Sequence, residues 1–451
     1  MSWQSLTPEL VFEIFRHFLP DLTLSVTEPE LFPWYLGQIC GSWRRVVISH
    51  AGFWSKLIII SGHCYGDGPL LIRDVQCANR ALQLLNLCLC RSSDRPLSFK
   101  FAHCLLEPSD SIDQKALSKC YRQMLDLLIG ESTRWRDAYI SLTGESELPI
   151  LYKIKNKLPM LRSIRIQLLD ADDFITYPPT VYEDLFENAP QLGRLYIEDR
   201  PSWHVDWSTL TAIHFWGPSL DEVSPLLDIL SRVTVSRLEE LTIHGRYAIP
   251  IPPDGIPLKT LPFLKILRID REDALFLFRT EMLQELWIGG STFSPATGSR
   301  YRNTISACLP SLIHLTKLTL FGRLAGQVEI LLQYMPPLPD LSLYICNTGC
   351  LKLLSECPRS RCLKTLTIGL LVDDEDLWAD ITTWMKRKSL PDGVRRFEEL
   401  EYLSLELFEM PSHGHIAVMK EHLEAEGIRH SIQMNHTLNS RFPLFDNWFQ
   451  W

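Results

Sequence analysis

Four cysteines close together, Cys346, Cys350, Cys357 and Cys362, and the pair His413 and His415 are residues whose types could hold a metal ion. Structural zinc needs paired thiolates at Cys-x-x-Cys spacing, which these four do not make. The two histidines have a usable spacing but no nearby cysteine to complete a ligand set. The thiols therefore read as core residues, and Ser412 to His415 as a solvated loop. The acidic run Asp373-Asp374-Glu375-Asp376 lacks the loop pattern of a calcium site. With Lys386, Arg387 and Lys388 downstream, it reads as charge matched to the two ends of a helix. Covalent and nucleotide chemistry have no signature either: there is no Gly-x-Ser-x-Gly elbow, P-loop, Gly-x-Gly-x-x-Gly or His-Glu-x-x-His. The expectation is a non-enzyme without cofactor or metal, whose chemistry is non-covalent recognition.

Two sets of residues could carry that recognition, and the first lies at the N-terminus. Thr7 can cap a helix that has Pro8 at its opening position, where a missing N–H costs nothing. Leu10, Val11, Ile14, Phe15, Phe18 and Leu19 recur at helical spacing until Pro20. Further on, Leu36, Ile39, Cys40, Trp43, Val46 and Val47 form a second stripe, with Gly41, Ser42, Arg44 and Arg45 facing away. A segment this short cannot bury so much apolar surface by itself. It needs the body of the chain, a partner, or both.

Leu6, Glu9–Leu10, Ile14–Phe15, Leu19, Ile39–Cys40, Trp43–Arg44 and Phe53–Trp54 together resemble an F-box. The tail LGQICGSWRRVVISHAGFWSKL resembles the versions found in the large fungal F-box families. Thr7 stands where the family usually has Pro, with Pro8 one position later. The resemblance implies a helical module that docks on the Skp-type adaptor of a cullin-based ubiquitin ligase. Its contact would be formed by Leu6, Pro8, Leu10, Ile14, Phe15, Leu36, Ile39, Cys40 and Trp43, with Glu9 and Arg44 fixing helix ends and the rim.

The whole chain constrains the partner. Hydrophobic content of 46% and charged content of 22% fit a folded globular protein rather than a disordered one. A net charge of -9 argues against a nonspecific nucleic-acid binder. No signal pattern opens the chain and no run approaches membrane-spanning length, so no membrane partner is expected. Twelve cysteines in that setting read as reduced thiols behaving as small core residues, in the cytoplasm or nucleus.

The second set comes from repetition. Short strand signals at Leu57–Ile60, Leu97–Phe101 and Ala138–Leu142 alternate with helical periodicity over Leu71–Leu89 and Ile112–Ile129. Ten later blocks then share the grammar Leu-x-x-Leu-x-Leu, starting at Leu161, Leu192, Leu210, Leu238, Leu264, Leu283, Leu315, Leu338, Leu363 and Leu400. Their starts lie 18 to 37 residues apart, a spread centred on the period range of leucine-rich repeats. The predicted fold class is α/β: a helical F-box over residues 1–56, then an irregular leucine-rich-repeat solenoid over 57–451. Phe442, Phe445, Trp448, Phe449 and Trp451 would cap its far end.

In such a stack the Leu and Ile of each strand point inward, leaving the residue between the last two apolar positions on an exposed concave surface. That row reads Arg165, Tyr196, His214, Thr242, Arg268, Trp287, Thr319 and Ser342, followed by Thr367 and Ser404. Its arginines and aromatics are the usual composition of interface hot spots. Three functions compete. The first is a ligase receptor that joins a target protein to the adaptor and cullin, contributing proximity rather than chemistry. The second is a small-molecule co-receptor using Arg268 and Trp287, and the third is a repeat scaffold without ligase links.

Overall fold

The computed structural model describes residues 7–18, 24–26, 36–61, 75–103, 112–142, 148–168, 184–198, 203–217, 237–245, 259–270, 272–289, 309, 312–321, 325–344, 362–370, 400–407, 424 and 429–434. Leu6, Cys346, Cys350, Cys357, His413, His415, the two charge clusters and the aromatic C-terminal tail lie outside the described residues. The architecture is mixed α/β, built on parallel strands. The chain forms two compact units, whose described residues run from Thr7 to Leu210 and from Thr211 to Met434.

The first unit opens with helix α1 (Pro8–Phe18), strand β1 (Leu24–Ser25) and helices α2 (Leu36–Ile39) and α3 (Gly41–Ser49). Strands β2 (Lys56–Ser61), β3 (Leu97–His103), β4 (Trp135–Leu142), β5 (Ser163–Leu168) and β6 (Arg194–Glu198) follow, lying side by side in chain order. Parallel neighbours need a crossover. Helix α4 (Val75–Ser92) supplies it between β2 and β3, and α5 (Ile112–Gly130) between β3 and β4. The face expected on α4 is covered in part, with Ala78, Leu85 and Leu89 buried and Val75 and Leu82 half-buried, and Ala81 and Cys88 join it in the core; α5 buries Tyr121, Met124, Leu125 and Leu128. The strands align their apolar residues in rows. Leu57, Phe99, Ala138 and Ile164 are partners across β2 to β5, and so are Ile59, Phe101, Ile140 and Ile166. All eight are buried.

One device recurs in this unit. Trp54, at the end of a 3-10 turn (Ala51–Trp54) before β2, donates from Nε1 to the carbonyl of Val47 in α3 at 2.7 Å. Trp135, after a 3-10 turn (Ser132–Arg134), donates to the carbonyl of Leu128 in α5 at 2.9 Å. Each indole fills the core and bonds a carbonyl in the last turn of a helix, where intrahelical partners run out; the Leu128 carbonyl also accepts from Glu131 N at 2.9 Å. Buried Arg134 does the same for α4, donating to the carbonyl of Leu89 at 3.2 Å and to that of Ser93.

In the second unit the order is β7 (Ala212–Gly217), β8 (Glu240–Gly245), β10 (Ile266–Ile269), β12 (Glu285–Ile288), β13 (Lys317–Phe321), β14 (Asp340–Tyr344), β15 (Thr365–Leu370), β16 (Tyr402–Leu407) and β17 (Arg429–Met434). Strands β9 (Lys259–Thr260) and β11 (Phe278–Arg279) pair separately. Helices α6 (Leu148–Leu151) of the first unit and α7 (Ala325–Tyr334) of the second complete the described α-helices. The inward leucines form one continuous row, with Leu241, Leu267, Leu286, Leu318, Leu341, Leu366 and Leu403 in register and each no more than 1% exposed. This burial explains the repeated grammar: no single strand could cover its own leucine, and the next strand does.

The cysteines depart from the expectation that they are all core. Cys88 and Cys120 are buried, but Cys40, Cys90 and Cys362 are exposed and Cys77 is half-buried. Cys90 and Cys362 fall on the solvent side of their elements, so their apolar character did not decide their place. No helix among the described residues is long and apolar enough to cross a membrane.

Candidate functional site

The N-terminal helices present two faces with different fates. Thr7 caps α1, its Oγ1 accepting from Leu10 N at 3.5 Å and its carbonyl from Val11 N at 3.1 Å. Val11 and Phe15 point inward, where Phe15 meets the Trp43 ring edge-on at 4.7 Å. Phe12 stacks on His50 at 3.6 Å and meets Phe53 edge-on at 4.9 Å. These contacts hold α1 against α3 and the turn that follows it. Leu10 stays 53% exposed, Glu9 is exposed and Ile14 is half-buried.

The second stripe is interrupted at Cys40, whose extended backbone (φ -156°, ψ 164°) separates α2 from α3. Cys40 caps α3: its Sγ accepts from Trp43 N at 3.5 Å and lies 3.1 Å from Ser42 Oγ. The Ser42 contact, with the Trp43 N–H, holds the thiol below its ordinary pKa. Arg44 joins the two helices, Nε donating to the Gly37 carbonyl at 2.7 Å. Leu36, Val46 and Val47 are then buried, Trp43 is half-buried, and Ile39 (57%) and Ile48 (44%) are exposed with Cys40. Of the residues expected to form one binding face, Phe15 and Leu36 belong to the core of this unit. Leu10, Ile39 and Cys40 remain on the surface. A helix carrying apolar residues on more than one side looks the same in sequence whichever side is covered.

Across the strands, the row read from the repeats is in register but not open. In the first unit Tyr139, Arg165 and Tyr196 are neighbours on β4, β5 and β6. The Arg165 guanidinium lies over both rings, 4.8 Å from the centroid of Tyr139 and 4.1 Å from that of Tyr196. In the second unit His214, Thr242, Arg268, Trp287, Thr319, Ser342, Thr367 and Ser404 follow strand by strand. The expected exposure fails for Arg165, Tyr196, His214, Thr242, Thr319, Ser342 and Ser404, all of which are buried. Side chains on adjacent parallel strands stand about 5 Å apart, so large ones lie across small ones and rings stack instead of projecting. Arg268, Trp287 and Thr367 are half-buried, and the first two are the large side chains of the accessible part.

Around Trp287 the face is mixed. The Arg268 guanidinium is 5.5 Å from the indole centroid and the Lys317 amine 5.6 Å. Arg268 also pairs with Glu240. The ring continues into a stack with Phe321 at 6.2 Å, which in turn stacks on Tyr344 at 4.5 Å. Tyr344 leans over Gly369, where any Cβ would overlap its ring. Asp340 has its pKa raised by burial, eased by Lys317 and reinforced by Glu285. Beside this cluster His244 pairs with Asp270 and packs on Trp216 at 4.1 Å. Repeat spacing could identify the row, but not this stack, because Phe321 and Tyr344 fall two residues after the row position.

No group of three or more His, Cys, Asp or Glu among the described residues is placed to hold a metal ion. In comparison with known proteins, no family model and no curated protein matches this chain.

Proposed function

We propose that the chain is a non-catalytic receptor of a Skp–cullin–F-box ubiquitin ligase, docking its N-terminal helices on the adaptor and holding a target protein on its repeats. One observation carries the reading: Leu10, Ile39 and Cys40 stay exposed although the opposite faces of α1 and α3 are packed. Leu10 and Ile39 are two of the four large apolar side chains among the described residues that are more than half exposed, and exposed apolar surface is where a partner docks. A scaffold that used these helices only as an end cap would bury Ile39, not leave it 57% exposed.

On this reading the parallel strands work as an irregular leucine-rich-repeat solenoid. Tethering raises the target's local concentration beside the ubiquitin-loaded enzyme, and no residue of this chain enters the transfer chemistry. The test is a Leu10→Ser, Ile39→Ser double variant, mixed with purified Skp-type adaptor. Both side chains are more than half exposed, so thermal stability stays at the wild-type value while adaptor co-elution is lost. Undiminished co-elution by the double variant would refute the assignment.

A further inference from the structure

The second unit holds polar atoms that are shielded from water yet bonded to nothing. Among the described residues these include Thr242 Oγ1, Trp287 Nε1, Thr319 Oγ1 and Asp340 Oδ1. Buried polar groups are nearly always paired, and each exception asks for a cause. These four are not scattered. Trp287 and Thr319 are direct partners across β12 and β13, and Thr242 lies on the far side of Arg268 from Trp287. Asp340 is the partner of Lys317, two residues before Thr319. Thr242 and Thr319 are at least 98% buried, while Arg268, Trp287 and Lys317 beside them are half-exposed.

The inventory of donors and acceptors selects the ligand. Indole N–H only donates, a hydroxyl does either, and an ionised carboxylate only accepts. A phosphate or carboxylate would find donors here but nothing for Asp340, and it would also face Glu240 and Glu285. An amide offers both halves, a carbonyl for Trp287 and the threonines and an N–H for Asp340. An extended polypeptide additionally matches a face whose neighbouring strands repeat at about 5 Å.

We propose that this patch binds an uncharged segment of a target polypeptide, recognised through the amide groups of its Asn and Gln side chains. The inference rests on the reading of the repeats as the target-holding part.

The threonines permit a test that separates binding from architecture. Thr242→Val and Thr319→Val keep the shape and remove the hydroxyl. In the free protein that hydroxyl has no partner to lose, so both variants melt at or above the wild-type temperature. Short linear peptides selected from a displayed library on the full chain are rich in Asn and Gln. Their affinity falls several-fold, up to about tenfold, in each valine variant and in Trp287→Phe, which keeps a ring without the N–H. Three results overturn the proposal: a lower melting temperature in both valine variants, selected peptides that bind all variants equally, or enrichment of acidic peptides instead. Adaptor co-elution from the wild type is measured in parallel. Its failure counts against the ligase reading and leaves the peptide result to decide this site.

Discussion

Trp54 Nε1 donates to the main-chain carbonyl of Val47 at 2.7 Å, joining the end of α3 to the first long strand of the sheet. The indole is 1% exposed, and the Arg91 guanidinium lies 4.5 Å from its ring centroid. Trp54→Phe keeps most of the packing but leaves the Val47 carbonyl buried and unbonded. Such an orphan costs about 1–3 kcal/mol. The expected outcome is a lower denaturation midpoint at unchanged denaturant slope, together with weaker adaptor binding because α3 loses its anchor. A midpoint equal to wild type would mean that the hydrogen bond contributes nothing to holding α3.

His50 gives the same region a pH dependence. Its ring stacks on Phe12, and Nδ1 accepts from Gly52 N at 3.3 Å, which requires a neutral imidazole. Burial, helped by Arg95 and opposed by Glu9 and Glu13, holds its pKa below the ordinary 6.5. A histidine depressed on folding stabilises the folded state fully above its unfolded pKa, and this contribution is lost as pH falls from 6.5 through the folded value. The α1–α3 contact is therefore weaker at pH 5 than at pH 7.5. Amide exchange in α1 and α3, corrected for intrinsic rates, reads the loss. In His50→Gln the difference between the two pH values shrinks; an unchanged difference would assign it to another group.

Much of this fold could be read from the chain because the physics is repetitive. The Leu-x-x-Leu-x-Leu blocks mark β5 to β8, β10 and β12 to β16, since parallel stacking demands an inward apolar residue from each strand. Strand β17 escaped because Arg429–Met434 lacks that grammar: it pairs with β16 through its backbone, which any side chain permits. Strand β1 is two residues inside what reads as a loop, recognisable only once Leu24 and Ser25 are seen beside Leu57 and Ile58. The candidate site was harder to read. Alternation placed Thr242 and Thr319 on one face, but both are buried beside larger side chains, Arg268 and Trp287, that lie 26 and 32 residues away in sequence. Periodicity likewise placed Phe15 and Leu10 on one helix without saying which would be covered.

The cysteines separate cleanly by environment, and one of them reports on the proposed docking surface. Burial pushes the Cys88 thiol up to about 12, so at neutral pH it is neither ionised nor reachable. Cys40 is exposed, its thiolate stabilised by Ser42 and the Trp43 N–H at the start of α3. Because the thiolate is the nucleophile, iodoacetamide at pH 7.5 alkylates Cys40 faster than exposed Cys90 and Cys362, and reaches Cys88 only in denaturant. Peptide mapping by mass spectrometry measures the order. Alkylated Cys40 places a carboxamidomethyl group between the cap and Ile39, so the singly labelled protein loses adaptor affinity while free adaptor, added first, protects Cys40 from the reagent. Equal labelling of Cys40 with and without adaptor would remove Cys40 from the interface, even if the rest of the headpiece docks.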